Sequence, residues 1–222
     1  MLELIVFLGN PGIKYSRNRH NAGFMLADKL PFSGSLSWQK KFAGFYANLE
    51  KSRLSPYLSE SDFPSPQVDG RIHFLKPETF MNLSGKPVNQ AASFLKIKPD
   101  AILVVHDELE LAPGTISLKF SGGLGGHNGL RSMKACLGTA DFWRIRIGIG
   151  RPDSRLPGEG GRQGSGEGIA DWVLSNFDAG EREIMDRVLD ESANLLLSAM
   201  TGDPKDLLGE WAKKKIPEIF NT

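Results

Sequence analysis

Short apolar runs alternate along the chain with segments in which apolar residues recur at helical spacing. Apolar runs of about four to eight residues are typical of buried strands, whereas recurrence every three or four positions is typical of amphipathic helices. The alternation predicts an α/β fold. The predicted strands cover residues 2–8, 42–49, 72–75, 102–106, 115–120 and 143–149, and the predicted helices cover residues 22–30, 88–95, 130–137 and 179–208, with a further helix from Pro204 toward Lys215.

Two local signals mark predicted helix starts. Proline is favoured in the first turn of a helix, and Pro87 stands directly before the apolar face that begins at Val88. Asparagine is a common amino-terminal cap, and Asn128-Gly129 precedes Leu130 in that position. We therefore expect one helix to start near Pro87 and another to be capped by Asn128.

Two stretches interrupt the pattern and predict loop insertions. Residues 52–70 are rich in Ser, Pro and Asp, and residues 152–168 contain six glycines with few apolar anchors. Both compositions favour surface loops that tolerate insertion. The second loop could also close over a ligand, and the sequence leaves that alternative open.

The composition indicates one domain spanning residues 1–222 and limits its partners. Of 222 residues, 40% are hydrophobic, and the formal net charge is only +1. A nucleic-acid partner would therefore have to meet a local basic patch rather than a globally cationic surface. Cys136 is the only cysteine, which excludes an intrachain disulfide and a multi-cysteine metal site and fits a reducing, cytoplasmic setting.

Several classes of protein lack support in the sequence. No stretch reaches the roughly 18 apolar residues of a membrane-spanning helix, and the amino terminus lacks a basic leader with a cleavage site. The phosphate loop, the dinucleotide fingerprint, the H-E-x-x-H zinc helix and the G-x-S-x-G elbow are also missing. We expect a protein that is neither exported nor membrane-embedded and that uses some other chemistry.

A set of polar residues follows the predicted strands. His20 comes soon after the first strand and its Gly-Asn-Pro-Gly turn, and Asp107 directly follows residues 102–106. If the strands are parallel, their carboxyl ends share one edge, where open α/β sheets bind ligands. The same edge would receive Asn10, Met81, Asn82 and Asn128.

These residue types fit hydrolysis by acid–base chemistry. A carboxylate beside an imidazole fixes its tautomer, so Asp107 next to His20 would make a general base able to deprotonate water. Asparagine amides can hold a water, a carbonyl group and a developing oxyanion. Each residue alone has another interpretation, because a single histidine or asparagine often caps a helix or completes a turn.

Seven short segments, in order along the chain, also carry a resemblance to a known family. They are FLGNPG (residues 7–12), HNAG (20–23), KP (76–77), TFMNLSG (79–85), HDELE (106–110), GGHNGL (125–130) and RIRIGIG (144–150), with Tyr15 and Arg17 between the first two. With these segments the chain resembles the bacterial-type peptidyl-tRNA hydrolase family over most of its length.

The resemblance implies a fold and an activity. The fold would be a single α/β domain with a mixed, mostly parallel sheet flanked by helices on both faces. The enzyme would be a monomer that needs neither metal nor cofactor. It would hydrolyse the ester between the peptide and the tRNA 3′ ribose in peptidyl-tRNA released prematurely from ribosomes, and so recycle tRNA.

The resemblance also implies roles for single residues at the reacting bond. His20 would be the base and Asp107 its orienting partner. Asn10 and Asn82 would contact the peptide and position the water, and Asn128 would hold water or substrate near the histidine.

Other residues would, by the same resemblance, bind the rest of the substrate. Met81 would form an apolar wall for the peptide, and Tyr15 would line the approach on the tRNA side. Lys119 and Arg146 would hold the tRNA 5′ phosphate, a pairing that fixes register without reading sequence. Arg131 and Lys134 would add contacts to the acceptor stem. Ser117 and Leu124 depart from the family pattern, in which a basic residue and a polar or aromatic residue are common.

Two alternatives to this enzyme remain at the level of sequence. One is a non-catalytic RNA-binding protein on the same fold, against which the joint presence of His20, Asp107 and the three asparagines argues. The other is a small-molecule esterase or amidase, which would use the same chemistry but would not need Lys119 and Arg146 to bind a phosphate. Cleavage of peptidyl-tRNA compared with cleavage of a tRNA-free peptidyl ester separates all three.

Overall fold

The structure is a computed structural model that describes residues 1–58, 70–152 and 166–216. Most of the two predicted insertions, residues 59–69 and 153–165, lies outside the described residues. The beginning of the first insertion forms a 3-10 turn at Lys51–Tyr57, in which Lys51 and Leu54 are buried. The extent of both insertions therefore stays a prediction.

Eight strands of the described chain form one mixed sheet. They are β1 (Leu4–Phe7), β2 (Gln39–Lys41), β3 (Gly44–Glu50), β4 (Arg71–Pro77), β5 (Ile102–Glu108), β6 (Thr115–Phe120), β7 (Trp143–Gly148) and β8 (Lys214–Lys215). Their order across the sheet is β2-β3-β4-β1-β5-β7-β6-β8. The central strands β4, β1, β5 and β7 are parallel, and the outer pairings on both sides are antiparallel.

Helices cover both faces of this sheet, so the predicted fold class is confirmed. They are α1 (Ala22–Lys29), α2 (Gly85–Leu95), α3 (Asn128–Leu137), α4 (Gly166–Leu174), α5 (Ala179–Thr201) and α6 (Leu208–Trp211). Phe7 packs in one hydrophobic cluster with residues of α1 and α5, whereas Val6 packs in a second cluster with residues of α2 and α3. No helix within the described ranges has the length and apolar content that crossing a membrane requires.

The expectation of a mostly parallel sheet is wrong, because the parallel pairings are confined to the centre of the sheet. Three of the seven pairings between described strands are parallel, and four are antiparallel. Parallel strands are usually buried on both faces and therefore read as continuous apolar runs. All four residues of β1 and all seven of β5 are buried, including the polar residues at the end of β5. That end of β5 is where the predicted site lies.

The elements that differ from the sequence prediction lie mostly at the sheet edges and near the carboxyl end. β2 consists of three exposed polar residues and offers no alternation to detect. α5 ends at Thr201 instead of continuing to residue 208, because Gly202 adopts an extended backbone and Pro204 follows. The helix expected to run toward Lys215 is replaced by the short α6 and by β8, which pairs with β6.

Candidate functional site

Three parallel strands bring the predicted residues to one edge of the sheet. Asn10 follows β1, Met81 follows β4, and Asp107 is the penultimate residue of β5. His20 lies in a 3-10 turn, Arg19–Asn21, directly before α1. α1 comes close to the sheet at Gly23, where a Cβ would lie 2.5 Å from the Leu8 carbonyl oxygen. This close approach sets the turn that carries His20 against the ends of the strands.

His20 and Asp107 form the predicted pair. The His20 Nδ1 lies 2.8 Å from the Asp107 Oδ1, and the two residues are 7% and 2% exposed. Since a carboxylate can only accept, the His20 Nδ1–H donates to Asp107 and the Nε2 carries the lone pair. The Nε2 has no hydrogen-bond partner among the described residues and is free to accept a proton.

A second histidine, His127, shares the same carboxylate oxygen. Its Nε2 lies 3.1 Å from the Asp107 Oδ1, and its ring centroid lies 4.9 Å from that of His20. His127 is the amino-terminal cap of α3, where its Nδ1 accepts hydrogen bonds from the backbone N–H groups of Gly129 and Leu130. The Nδ1 therefore carries no proton, and the Nε2–H donates to Asp107. The two histidines are held in opposite tautomers.

His127 was missed by the sequence prediction, which assigned the cap of α3 to Asn128. The structure makes Asn128 the first residue of the helix instead, so that expectation is wrong. The reason is geometric, because an imidazole nitrogen can accept from the free N–H groups of a first turn as an asparagine oxygen does. The sequence did contain a signal for this role, because His127 stands directly before Asn128 in the segment GGHNGL (residues 125–130).

A third histidine, His106, packs behind the other two. It is fully buried, its Nδ1–H donates to the Asp107 carbonyl oxygen at 2.7 Å, and its ring lies edge-on to that of His127 at 4.9 Å. Burial, assisted by the neighbouring His127, holds the pKa of His106 well below its ordinary value. His106 is therefore a neutral packing partner for His127.

The charged forms of His20 and Asp107 stabilise each other. Burial opposes protonation of His20, but the charge of Asp107 and its hydrogen bond outweigh burial and raise the pKa of His20 above 6.5. Burial also favours the neutral acid at Asp107, yet the charges and hydrogen bonds of His20 and His127 hold its pKa well below the usual range. Asp107 is thus ionised throughout the neutral pH range.

Asn10 is fixed by a network that leaves its amide NH₂ group available. Its Oδ1 accepts the Met81 backbone N–H at 2.8 Å, and its backbone N–H and carbonyl oxygen pair with the Asn21 side chain. No described residue accepts from the Asn10 Nδ2, although the residue is only 6% exposed. A donor that is held in place and has no partner can bind a substrate oxygen.

Asn82 and Asn128 are exposed and line one cleft together. Asn82 lies in the 3-10 turn Met81–Leu83, and the cleft, of about 610 Å³, also contains Arg131 and Lys134 of α3. Neither asparagine makes a direct contact with His20 in the hydrogen bonds of the described chain. The structure brings these four residues together in one cleft, which α3 borders.

Tyr15 and Met81 differ in how much surface they offer. The Tyr15 ring is half-buried and meets the ring of Phe80, itself 56% exposed, edge-on at 6.4 Å. Met81 is only 4% exposed and packs in the cluster that contains Leu8 and Leu130. Its backbone N–H, which orients Asn10, is its clearest contribution to the site.

Lys119 and Arg146 lie on neighbouring strands and on the same face of the sheet. In the register of β6 and β7, Lys119 is opposite Arg144, and Ser117 is opposite Arg146, so the predicted pair is diagonal. The Arg146 Nε donates to the Glu108 Oε2 at 3.0 Å and its NH1 reaches the Ser117 hydroxyl at 3.4 Å. Glu108 follows Asp107 directly, so one strand end orients both His20 and Arg146.

The donor set of His20, Asp107 and His127 also has the composition of a metal site, since the potential ligand atoms lie within 4.8 Å of one another. A metal on the His127 Nε2 would require the ring proton to move to Nδ1. There it would face the Gly129 and Leu130 N–H groups, which already donate to that atom. The cap of α3 therefore favours protons over a metal between these residues.

Comparisons with known proteins define the class as a hydrolase. A crystal structure of peptidyl-tRNA hydrolase with N-propanol matches with a TM-score of 0.78 and 31% identity, covering 98% of this chain and 97% of that chain. Peptidyl-tRNA hydrolase from Acinetobacter baumannii matches with a TM-score of 0.71 and 32% identity, over 95% and 92% of the two chains. An arginine-to-glutamine mutant from the same organism gives 0.74 and 31%, over 95% and 94%.

The family model described as peptidyl-tRNA hydrolase matches residues 4–218. The chain belongs to the peptidyl-tRNA hydrolase family. It is on this ground an enzyme, a carboxylic ester hydrolase.

The geometry predicts how His20 titrates. In the native protein its pKa lies above 6.5, because Asp107 stabilises the imidazolium. In Asp107→Asn the stabilising charge is gone while burial remains, so the midpoint should fall below the native one. Titration of the His20 ring followed by NMR measures both midpoints. A midpoint that is the same in both proteins would contradict the coupling.

Proposed function

We propose that this enzyme hydrolyses the ester between the peptide and the tRNA 3′ ribose in peptidyl-tRNA that ribosomes release prematurely. The observation that carries the proposal is the His20 Nε2, an acceptor without a partner among the described residues, on a ring fixed by the Asp107 bond at 2.8 Å. Membership of the family supports the substrate. We propose further that the enzyme acts as a monomer in the cytoplasm, that it uses neither metal nor cofactor, and that it recycles tRNA in ribosome rescue.

In the proposed mechanism His20 makes water the nucleophile. The Nε2 takes a proton from a water molecule as the water oxygen bonds to the ester carbonyl carbon. Asp107 stabilises the imidazolium that forms, since a negative charge close to the ring offsets the new positive charge. The tetrahedral intermediate then breaks its bond to the tRNA 3′ oxygen, and the imidazolium returns the proton to that oxygen. The products are tRNA with a free 3′ hydroxyl group and a peptide carboxylic acid, which releases its proton to solvent and leaves as the carboxylate.

Amide donors would stabilise the oxyanion of the intermediate. The Asn10 Nδ2 is the best placed, because the Met81 backbone fixes the other end of the amide. Asn82 and Asn128, exposed in the cleft beside His127, would hold the water and the ends of the substrate. A fixed donor aimed at a developing oxyanion can contribute roughly two to three orders of magnitude in rate.

The tRNA would be held mainly through phosphate. Glu108 binds the Nε edge of Arg146, which turns the rest of the guanidinium toward other partners. Lys119, on the same face of the next strand, would supply a second cation for the 5′ phosphate. Arg131 and Lys134 would extend the basic surface along α3 toward the acceptor stem. These residues would form a local basic patch, which can bind phosphate although the net charge of the whole chain is only +1.

We expect His20→Ala to reduce kcat for peptidyl-tRNA by about 10²–10⁴-fold, because general base catalysis contributes that much. Substrate binding should change little and the protein should stay folded, since His127 still donates to Asp107, although the thermal midpoint should fall because the buried carboxylate loses one donor. His73→Ala is a matched control, because His73 lies in the amino-terminal half of β4, away from the site, and bonds Tyr46 of β3 at 2.7 Å. Near-native hydrolysis by His20→Ala would refute the assignment of the base.

Lys119→Gln and Arg146→Gln should raise KM for peptidyl-tRNA about tenfold, the cost of losing a charge-assisted hydrogen bond to phosphate. Neither change should affect hydrolysis of a small peptidyl ester without tRNA. Lys98→Gln, an exposed lysine before β5 at the opposite edge of the sheet, serves as the control. Equal losses on both substrates would count against the phosphate role and favour a structural one.

A further inference from the structure

The residue before the base, Arg19, is one of the most deeply buried cations of the described chain. It is 1% exposed, and its backbone N–H donates to the Ser175 carbonyl oxygen at 3.0 Å. Burial of a guanidinium is costly unless its hydrogen bonds are met. The partners of Arg19 come from the connection between α4 and α5, about 155 residues away in the chain.

The guanidinium is held by hydrogen bonds in its plane and by two aromatic rings. In the plane, NH1 donates to the Ser175 hydroxyl at 2.5 Å and to the Asn176 carbonyl oxygen at 2.7 Å, and NH2 pairs with Glu181. The Trp172 and Phe177 rings pack against the guanidinium, with centroids 3.8 Å and 5.1 Å from the Arg19 Cζ. A planar fork held by hydrogen bonds and by two rings is fixed in orientation as well as in position.

The connection that holds Arg19 is itself anchored. Glu181 belongs to the capping box of α5, in which it exchanges hydrogen bonds with Asp178. The Trp172 Nε1 donates to the Gly150 carbonyl oxygen just after β7, at 2.8 Å. The neighbouring Asn18 forms a bridge with Asn176 and donates to the Leu174 carbonyl oxygen. Arg19 thus meets a surface that is fixed to both α5 and the sheet.

His20 is next to Arg19 in the same 3-10 turn, so the backbone position of one residue constrains that of the other. One residue of the turn is fixed by the α4–α5 connection and the next must reach the Asp107 Oδ1 at 2.8 Å. An apolar side chain in the place of Arg19 could fill the same volume without a desolvation cost. The chain instead has an arginine here, whose planar guanidinium makes directional hydrogen bonds and so fixes an orientation.

We propose that Arg19 is a positioning residue for catalysis, which holds His20 against Asp107 by docking its turn on the α4–α5 connection. The inference rests on the proposed role of His20 as the base. Misplacement of a catalytic group by about 1 Å can cost on the order of 10²-fold in rate. Arg19 does not touch the substrate in this account and acts only through the geometry of His20.

The charged groups around His20 decide the sign of the pH effect. Asp107 faces it from β5 and His127 from the start of α3, with His106 behind, while Arg19 on the other side is paired with Glu181. Asp107 is the group that raises the pKa of His20 against burial. If the turn loosens, the bond to Asp107 lengthens, and the pKa of His20 falls.

The test is Arg19→Lys, which keeps the charge but loses the planar fork. We expect kcat for peptidyl-tRNA to fall about 10- to 100-fold with KM within about twofold of native. We also expect the midpoint of the acid limb of kcat to move to lower pH. Arg144→Lys is the control, because Arg144 is equally buried but holds the carbonyl oxygens of Gly123 and Ser121, away from His20. It should lose stability without moving the midpoint.

An unchanged kcat midpoint in Arg19→Lys would overturn the assignment, whatever happens to stability. If that variant does not fold, Trp172→Ala compared with Trp172→Phe replaces it, since only the second keeps the aromatic ring at position 172, the nearer of the two rings to the guanidinium. The midpoint should then move in Trp172→Ala and stay in Trp172→Phe, and equal midpoints would refute the proposal. A wrong assignment of His20 as the base would give a different result. In that case His20→Ala would have the same kcat as the native enzyme.

Discussion

Asp107 carries a negative charge at the buried end of β5, where burial alone would favour the neutral acid. Two imidazole N–H groups, from His20 and His127, donate to one of its oxygens and keep it ionised. Because each histidine comes from a different element, this one oxygen joins the end of β5, the turn before α1 and the start of α3. The geometry of the whole edge depends on that charge, since without it neither ring has a fixed acceptor.

The opposite tautomers of the two histidines divide their roles. His127 uses Nδ1 to cap α3, so its Nε2–H can only donate to Asp107. His20 donates through Nδ1 and keeps a bare Nε2 as the acceptor for a proton. The helix that presents Asn128, Arg131 and Lys134 to the cleft is thereby tied to the same carboxylate as His20. Binding of the nucleic acid and activation of water would share one rigid support.

Much of this site could be predicted from sequence, because polar residues directly after apolar strands reach a common edge when the strands are parallel. Asn10 follows β1 and Asp107 lies at the end of β5, as that rule expects, whereas His20 reaches the edge through the turn before α1. The role of His127 could not be found in this way, since it depends on which backbone N–H groups its Nδ1 meets. Edge strands such as β2 were not predicted, because a run of exposed polar residues shows no alternation of apolar and polar positions. The contact between Arg19 and Glu181 joins distant parts of the chain and leaves no local pattern.

The central claim is that Asp107 holds the two histidines in opposite tautomers with the His20 Nε2 bare. The most direct measurement is ¹⁵N NMR of the ring nitrogens in the folded enzyme, at a pH above the His20 midpoint. The account predicts that His20 carries its proton on Nδ1 and that His127 carries its proton on Nε2. A protonated Nε2 on neutral His20, or a protonated Nδ1 on His127, would contradict it.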